Sequence, residues 1–175
     1  LLELGRALHR GCVHGCEHID VYSGERSEET LRRLQHAEGI VFHGPLPGKD
    51  IPELLGRAKY LIVTESFDPA ARRRTHYSLS TKIGESLASG ACILAYGPEE
   101  ISSIRYLEAH QAACILRRAE DAPALLRQLE ADPELYQSYV RRAGQLAETA
   151  HDPQTNRQAV CRLLQQVCAA GEVQP

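Results

Sequence analysis

The 175-residue sequence has no Met, and therefore no translational start, and no Trp. Its first residues already repeat at helical spacing (Leu1, Leu4, Leu8) with no Ser, Thr, Asp or Asn ahead of them to cap the turn. The expectation is a piece of a longer chain. No apolar run approaches the roughly 18 to 20 residues that cross a bilayer, and no charged segment followed by an apolar stretch reads as a signal peptide. A basic excess is lacking too: the net charge is −3 and the isoelectric point is near 6.3, which argues against a nucleic-acid partner. The six Cys are too few in so long a chain for a disulfide scaffold and read as reduced thiols of a cytoplasmic protein. Neither a Gly-x-Gly-x-x-Gly fingerprint nor a P-loop occurs, which weakens dehydrogenase and NTPase readings.

What is present is an ordinary globular composition, 43% hydrophobic and 25% charged, arranged as alternating strands and helices. Residues 17–24, 39–44, 60–64, 91–96 and 112–116 read as strands, those at 60–64 and 91–96 of buried type. Ser27-Glu28-Glu29-Thr30 opens a helix to about Ala37, with its acids at the favourable N-terminal end. Further helices are predicted over 50–58, 80–89, 99–110, 121–131, 133–150 and 155–170, with an irregular loop from Ser66 to Leu79. Strands joined through helices imply right-handed crossovers and a parallel sheet covered on both faces. The predicted fold is α/β: one Rossmann-like domain over residues 1–175, ending in a helical tail.

Open parallel sheets bind ligands at the carboxyl ends of their strands, where the next helix offers free N–H groups. The richest such end is Thr64-Glu65-Ser66-Phe67-Asp68, whose loop leads to Leu79-Ser80-Thr81-Lys82-Ile83-Gly84-Glu85. Ser80 or Thr81 as helix cap leaves backbone N–H groups facing a crevice, a seat for a diphosphate. Lys82 opposes the helix dipole unless an anion binds nearby. Glu85, one turn on, can accept hydrogen bonds from paired ribose hydroxyls. The plainer reading, surface residues on a well-capped helix, stays open.

The runs Leu61-Ile62-Val63-Thr64-Glu65-Ser66-Phe67 and Ser80-Thr81-Lys82-Ile83-Gly84-Glu85-Ser86-Leu87-Ala88-Ser89-Gly90-Ala91-Cys92-Ile93-Leu94-Ala95 resemble the group 1 glycosyltransferases. Together with Gly39–Leu46 they are similar to the C-terminal, nucleotide-sugar-binding half of a retaining GT-B enzyme. The resemblance implies that Glu85 holds the ribose hydroxyls and that Glu65 is the catalytic-site glutamate facing the donor sugar. It assigns the diphosphate to the backbone of Leu79, Ser80, Thr81 and Lys82, and the base to the main chain of Leu46. It also implies an NDP-sugar donor, a glycan or lipid-linked acceptor, and no cofactor or obligatory metal, the leaving diphosphate being stabilised by positive charge and helix N-termini. An N-terminal acceptor-binding domain would be the partner, and the whole enzyme would work in the cytoplasm, at times against the inner membrane face. The chain departs from the family pattern in two places. Nineteen residues separate Glu65 from Glu85 where the family has seven, and Lys59 stands where an Asp is usual.

Two rival functions are a non-catalytic receiver- or flavodoxin-type binding module and a GT-B epimerase acting on the NDP-sugar. A receiver needs paired acids after its first strand, and Ser23-Gly24 offers none. Several other residues keep two readings each. His9, Cys12, His14, Cys16 and His18 read as free thiols and surface histidines, or as half of a zinc site. Arg72-Arg73-Arg74 is a solvated run, or a contact to a phosphate, a membrane lipid or the N-terminal domain. His43 lines the crevice or simply turns the chain, and His76 and Tyr77 touch the sugar or pack. Cys92 and Cys114 are expected to be buried, and Cys161 and Cys168 to face the sheet from the last helix.

Overall fold

Strand β4 (Cys92–Tyr96) shows most directly how this sequence makes a core, because all five of its side chains are buried. Successive side chains on a strand point to opposite faces. On one face Cys92, Leu94 and Tyr96 meet Leu4 and Leu8 of helix α1 (Leu2–Gly11) and Leu126 and Leu129 of α7 (Ala122–Ala131). On the other, Ile93 and Ala95 meet Ile83 and Leu87 of α5 (Lys82–Ala88) and Ile104 and Leu107 of α6 (Ser102–Ala109). Burying one such Leu or Ile contributes about 1.5–3 kcal/mol. A single strand thus organises two cores, with helices on both sides.

The computed structural model describes residues 1–171, with side chains through Cys168. The other strands are β1 (Ile19–Tyr22), β2 (Ile40–Gly44), β3 (Tyr60–Thr64) and β5 (Cys114–Leu116), and every strand pairing is parallel. The intervening helices are α2 (Glu28–Gln35), α3 (Ile51–Arg57) and α4 (Pro69–Thr75), and α8 (Pro133–Ala150) and α9 (Pro153–Gly171) close the chain. The fold is α/β and Rossmann-like, as the alternation predicts. Ser27 caps α2 by accepting the Thr30 N–H at 3.4 Å, and Asp132 caps α8 by accepting that of Leu135 at 3.0 Å. Helix α8 reaches both cores, with Leu135, Tyr136, Tyr139 and Val140 against the first and Ala143 and Leu146 within the second.

Four expectations need correction. First, the strands form two parallel sheets, β1-β2 and β3-β4-β5, rather than one. Second, β3 is only half-buried apart from Val63 and exposed Thr64, because among the described residues one of its edges has no neighbouring strand. Third, the supposed irregular loop contains α4. Asp68 caps that helix by accepting the N–H groups of Ala70 (3.0 Å) and Ala71 (2.9 Å), Pro69 opens it, and three Arg lie near its C-terminal end, where the dipole favours cations. Fourth, Cys161 and Cys168 are exposed rather than set against the sheet. On α9, Val160, Leu163, Leu164 and Val167 are also 56–63% exposed, so its apolar stripe lies off both cores.

The start of β2 is fixed by a backbone contact. Gly39, at φ +75°, brings its Cα against the carbonyl of Gly5 in α1, and any side chain there would collide with it. At the amino end of β3, Lys59 spans to Glu130 of α7 with N–O distances of 2.7 and 2.8 Å, and the Tyr60 hydroxyl donates to the same carboxylate at 2.8 Å. The Lys59 hydrogen bond, and then that of Tyr60, hold the Glu130 carboxyl below the usual carboxylate range. The same contact raises Lys59, and burial, reinforced by Glu130, pushes the Tyr60 phenol far up. The unusual lysine is thus half of a tie between the sheet and α7.

Candidate functional site

At the carboxyl end of β3, the Glu65 N–H donates to the Tyr96 carbonyl at 2.9 Å and continues the ladder one residue beyond the strand. Glu65 is half-buried with its Cβ close against Gly97, where an added methyl would come within 2.8 Å of it. Helix α4 follows, and its end is fastened to α6. The His76 carbonyl accepts both the N–H (3.1 Å) and the hydroxyl (2.7 Å) of Ser102. Fully buried Ser103 accepts the Ser80 N–H at 3.1 Å and donates to the Ser78 carbonyl at 3.3 Å. Residues 76–80 are therefore held by the first turn of α6.

This corrects the expected cap. Thr81 precedes α5 in helical conformation with no side-chain capping bond, and the Ser80 N–H is taken by Ser103 instead of facing a crevice. The turn closes through the Ser80 carbonyl, which accepts the Ile83 N–H at 3.1 Å. The N–H groups of Thr81 and Lys82 have no protein partner among the described residues.

Beside this turn lies a cleft of about 670 Å³. Leu79, Ser80, Thr81, Gly84 and Glu85 form one wall; Ala147, Glu148, His151 and Asp152, at the end of α8, form the other. The structure thus brings together four of the residues singled out from sequence, Leu79, Ser80, Thr81 and Glu85. It places Leu46, after β2, and Glu65, after β3, at carboxyl ends of strands but not on the cleft wall, and Lys82 also lies off it.

The far wall was not foreseen. His151 sits over Gly84, with Nδ1 at 3.4 Å from where a Cβ would lie, and its Nε2 is 2.9 Å from the Tyr106 hydroxyl. Asp152 accepts the Thr155 N–H at 2.7 Å, and the Thr155 side chain and N–H hold its carboxyl below the usual range. The sequence signal was His151-Asp152-Pro153, a polar break between two helices at a proline. The cleft carries three acids, Glu85, Glu148 and Asp152, so its chemistry suits hydroxyl donors better than anions.

Other singled-out residues lie apart. His43 stacks on Tyr22 (4.6 Å, 10°) and places Nε2 at 2.6 Å from Asp20, so it joins β1 to β2. Arg72 pairs with Glu100, and Tyr77 is 90% exposed with its ring edge-on to His76, so it lies outside both cores. The Cys12 thiol donates to the His9 carbonyl, and burial raises the Cys16 thiol. Among the described residues no three His, Cys, Asp or Glu side chains gather as metal ligands would.

A glycosyl transferase-like family model matches residues 4–162. The chain belongs to the glycosyl transferase-like family. The match covers both cores, the cleft and the first part of α9. No curated protein matches the chain. For a member of the glycosyl transferase-like family, a carboxylate-lined cleft is chemically apt, because sugars and ribose present hydroxyl pairs that carboxylates accept. Among the described residues no helix is long and apolar enough to cross a membrane.

Proposed function

We propose that this chain is the donor-binding domain of a retaining GT-B glycosyltransferase, the half that holds an NDP-sugar while its sugar passes to a glycan or lipid-linked acceptor. The observation that carries the reading is the cleft itself. It lies beside the turn that opens α5, with Glu85 on its wall, in a chain of the glycosyl transferase-like family. Glu85 accepts the ribose hydroxyls. The Thr81 and Lys82 N–H groups meet the diphosphate, with the Lys82 ammonium approaching it from off the cleft wall, whereas the Ser80 amide is reserved for Ser103. The acidic far wall, Glu148 and Asp152, keeps the phosphates at the α5 end. Leu46 offers its main chain to the base, and Glu65 faces the transferred sugar. No obligatory metal enters this scheme, and the acceptor site belongs to an N-terminal partner domain. The complete enzyme would serve glycan synthesis at the inner face of a membrane.

A thermal-shift panel of UDP, GDP, ADP, TDP and CMP tests the reading. A ligand at 100 times its dissociation constant stabilises by about 2.7 kcal/mol, or about 5–10 °C for a domain of this size. A shift selective for one base supports the proposal and names the donor class. Equal, negligible shifts with all five, in this chain and in one joined to its acceptor domain, overturn it.

A further inference from the structure

On the cleft wall formed by the end of α8, His151 is fixed in place through one ring nitrogen while the other is left unused. Its own N–H donates to the Ala147 carbonyl at 3.0 Å. The break that follows is equally defined. The Asn156 side-chain amide donates to the Ala150 carbonyl at 3.1 Å, and Asp152 accepts the Thr155 N–H at the start of α9. The ring is held at Nε2, 2.9 Å from the Tyr106 hydroxyl, and the Tyr106 ring meets it edge-on at 5.7 Å. On the same helix as Tyr106, the His110 ring lies 4.7 Å from that of Tyr106. Nδ1, by contrast, has no protein partner among the described residues and is not sealed from solvent. It lies over Gly84, whose missing side chain leaves it uncovered: a Cβ there would rest on it at 3.4 Å.

The partner at Nε2 decides which nitrogen carries the proton. Burial raises the Tyr106 phenol above its ordinary range, so the hydroxyl keeps its proton. Its only hydrogen-bond partner among the described residues is His151. When that proton is given to Nε2, Nδ1 bears the N–H and donates into the cleft. The reverse arrangement strands the phenolic proton and turns an Nδ1 lone pair toward a cleft whose carboxylates, Glu85, Glu148 and Asp152, already supply acceptors. The first arrangement satisfies the phenol, and the negative cleft favours a donor facing it.

A sugar hydroxyl both donates and accepts. A carboxylate takes its proton and leaves its lone pairs without a donor. Glu85 is such a carboxylate, and it follows Gly84, the residue under His151, on the same cleft. We propose that His151, its Nδ1–H turned into the cleft by Tyr106, is the donor that complements Glu85 on a vicinal diol, and so selects ribose over deoxyribose. The inference rests on the donor-domain reading and deepens it. Glu85 accepts from the hydroxyl pair, His151 donates to it, and Tyr106 is a positioning residue that does not touch the ligand. A ligand lacking one hydroxyl leaves a polar group of the cleft unpaired, which is how such a site rejects it.

Two substitutions separate donation from support. His151→Gln keeps an amide near the Nε2 position, toward Tyr106, and empties the Nδ1 position; His151→Asn does the reverse. Calorimetric titrations compare UDP, GDP and ADP with dUDP, dGDP and dADP. The native chain is expected to prefer the ribose form of the base it binds by at least about tenfold. His151→Gln should cut that preference at least about threefold, and His151→Asn should retain it. In the native chain without ligand, a long-range proton–nitrogen correlation spectrum at about pH 8, where histidine is neutral, should place the His151 proton on Nδ1. A proton on Nε2 there overturns the inference, whether or not either variant folds. With a nucleotide bound, an unchanged preference in His151→Gln overturns it and leaves the donor-domain reading standing. Equal loss in both variants does the same, and makes His151 a prop for the wall. If none of the six nucleotides binds, the donor-domain reading falls and takes this inference with it.

Discussion

The Ser80 N–H donates to the Oγ of Ser103, 23 positions later and fully buried, at 3.1 Å. That one hydroxyl also supports the Ser78 carbonyl, so the turn entering α5 takes its shape from α6 rather than from its own cap. Replacing Ser103 by Ala leaves a donor and an acceptor without their partner. The expected loss is about 1–3 kcal/mol, read as a lower urea midpoint with an unchanged denaturant slope. A midpoint equal to that of the native chain would mean that the turn finds its shape without α6.

Glu85 and Lys82 are separable by ligand. Glu85→Ala should weaken a nucleoside and its diphosphate alike, by about 1–3 kcal/mol in calorimetric titration, since the lost bonds are to ribose. Lys82→Ala should weaken the diphosphate and spare the nucleoside. Unchanged affinity in Glu85→Ala would remove it from the ribose role, and equal losses for both ligands in Lys82→Ala would assign the lysine to packing.

Helix α4 depends on its cap. Asp68→Ala removes the acceptor for two N–H groups and should cost about 1 kcal/mol of local stability. Faster amide exchange confined to Ala70 and Ala71 and the following turn is the expected signature. Exchange that rises equally in β4 would show that α4 and the core unfold together.

The Lys59–Glu130 tie has a defined pH window. The depressed Glu130 carboxyl contributes stability above the unfolded value of about 4.3, lost as pH falls through its folded value. The raised Lys59 ammonium contributes below about 10.4, and that part is lost as pH rises through its folded value. The side chains are 55% and 37% exposed, so the pair is worth about 0.2–1 kcal/mol. Glu130→Gln should lower the urea midpoint at pH 7 and progressively less as the pH is taken below 4. A deficit that stays constant would assign the effect to the Tyr60 hydrogen bond rather than to charge.

The alternation of strands and helices was legible because local signals carry it. Ser27 before two acids opens α2, and the apolar run at Cys92–Tyr96 forms a strand buried on both faces. The same logic applied to Asp68-Pro69 would have placed α4, but the run of arginines obscured it. The pairing of strands is not local, and the split between β1-β2 and β3-β4-β5 has no counterpart in any short stretch of sequence. Half of the cleft was visible for the same reason: Leu79 to Glu85 form one continuous segment. The opposite wall comes from His151 and Asp152, more than sixty residues away, and only the packing of α8 on α5 brings them there.

Because α8 belongs to both cores and also carries one wall of the cleft, that wall is not a flap. Parting it from α5 would pull Ala143 and Leu146 out of the company of Ile83 and Leu87, all of them buried. The width of the groove is therefore set by the same packing that holds the second core, and widening it would cost core contacts. A ligand that fits spends little on reorganising its host, and one that does not fit is refused on dimensions alone.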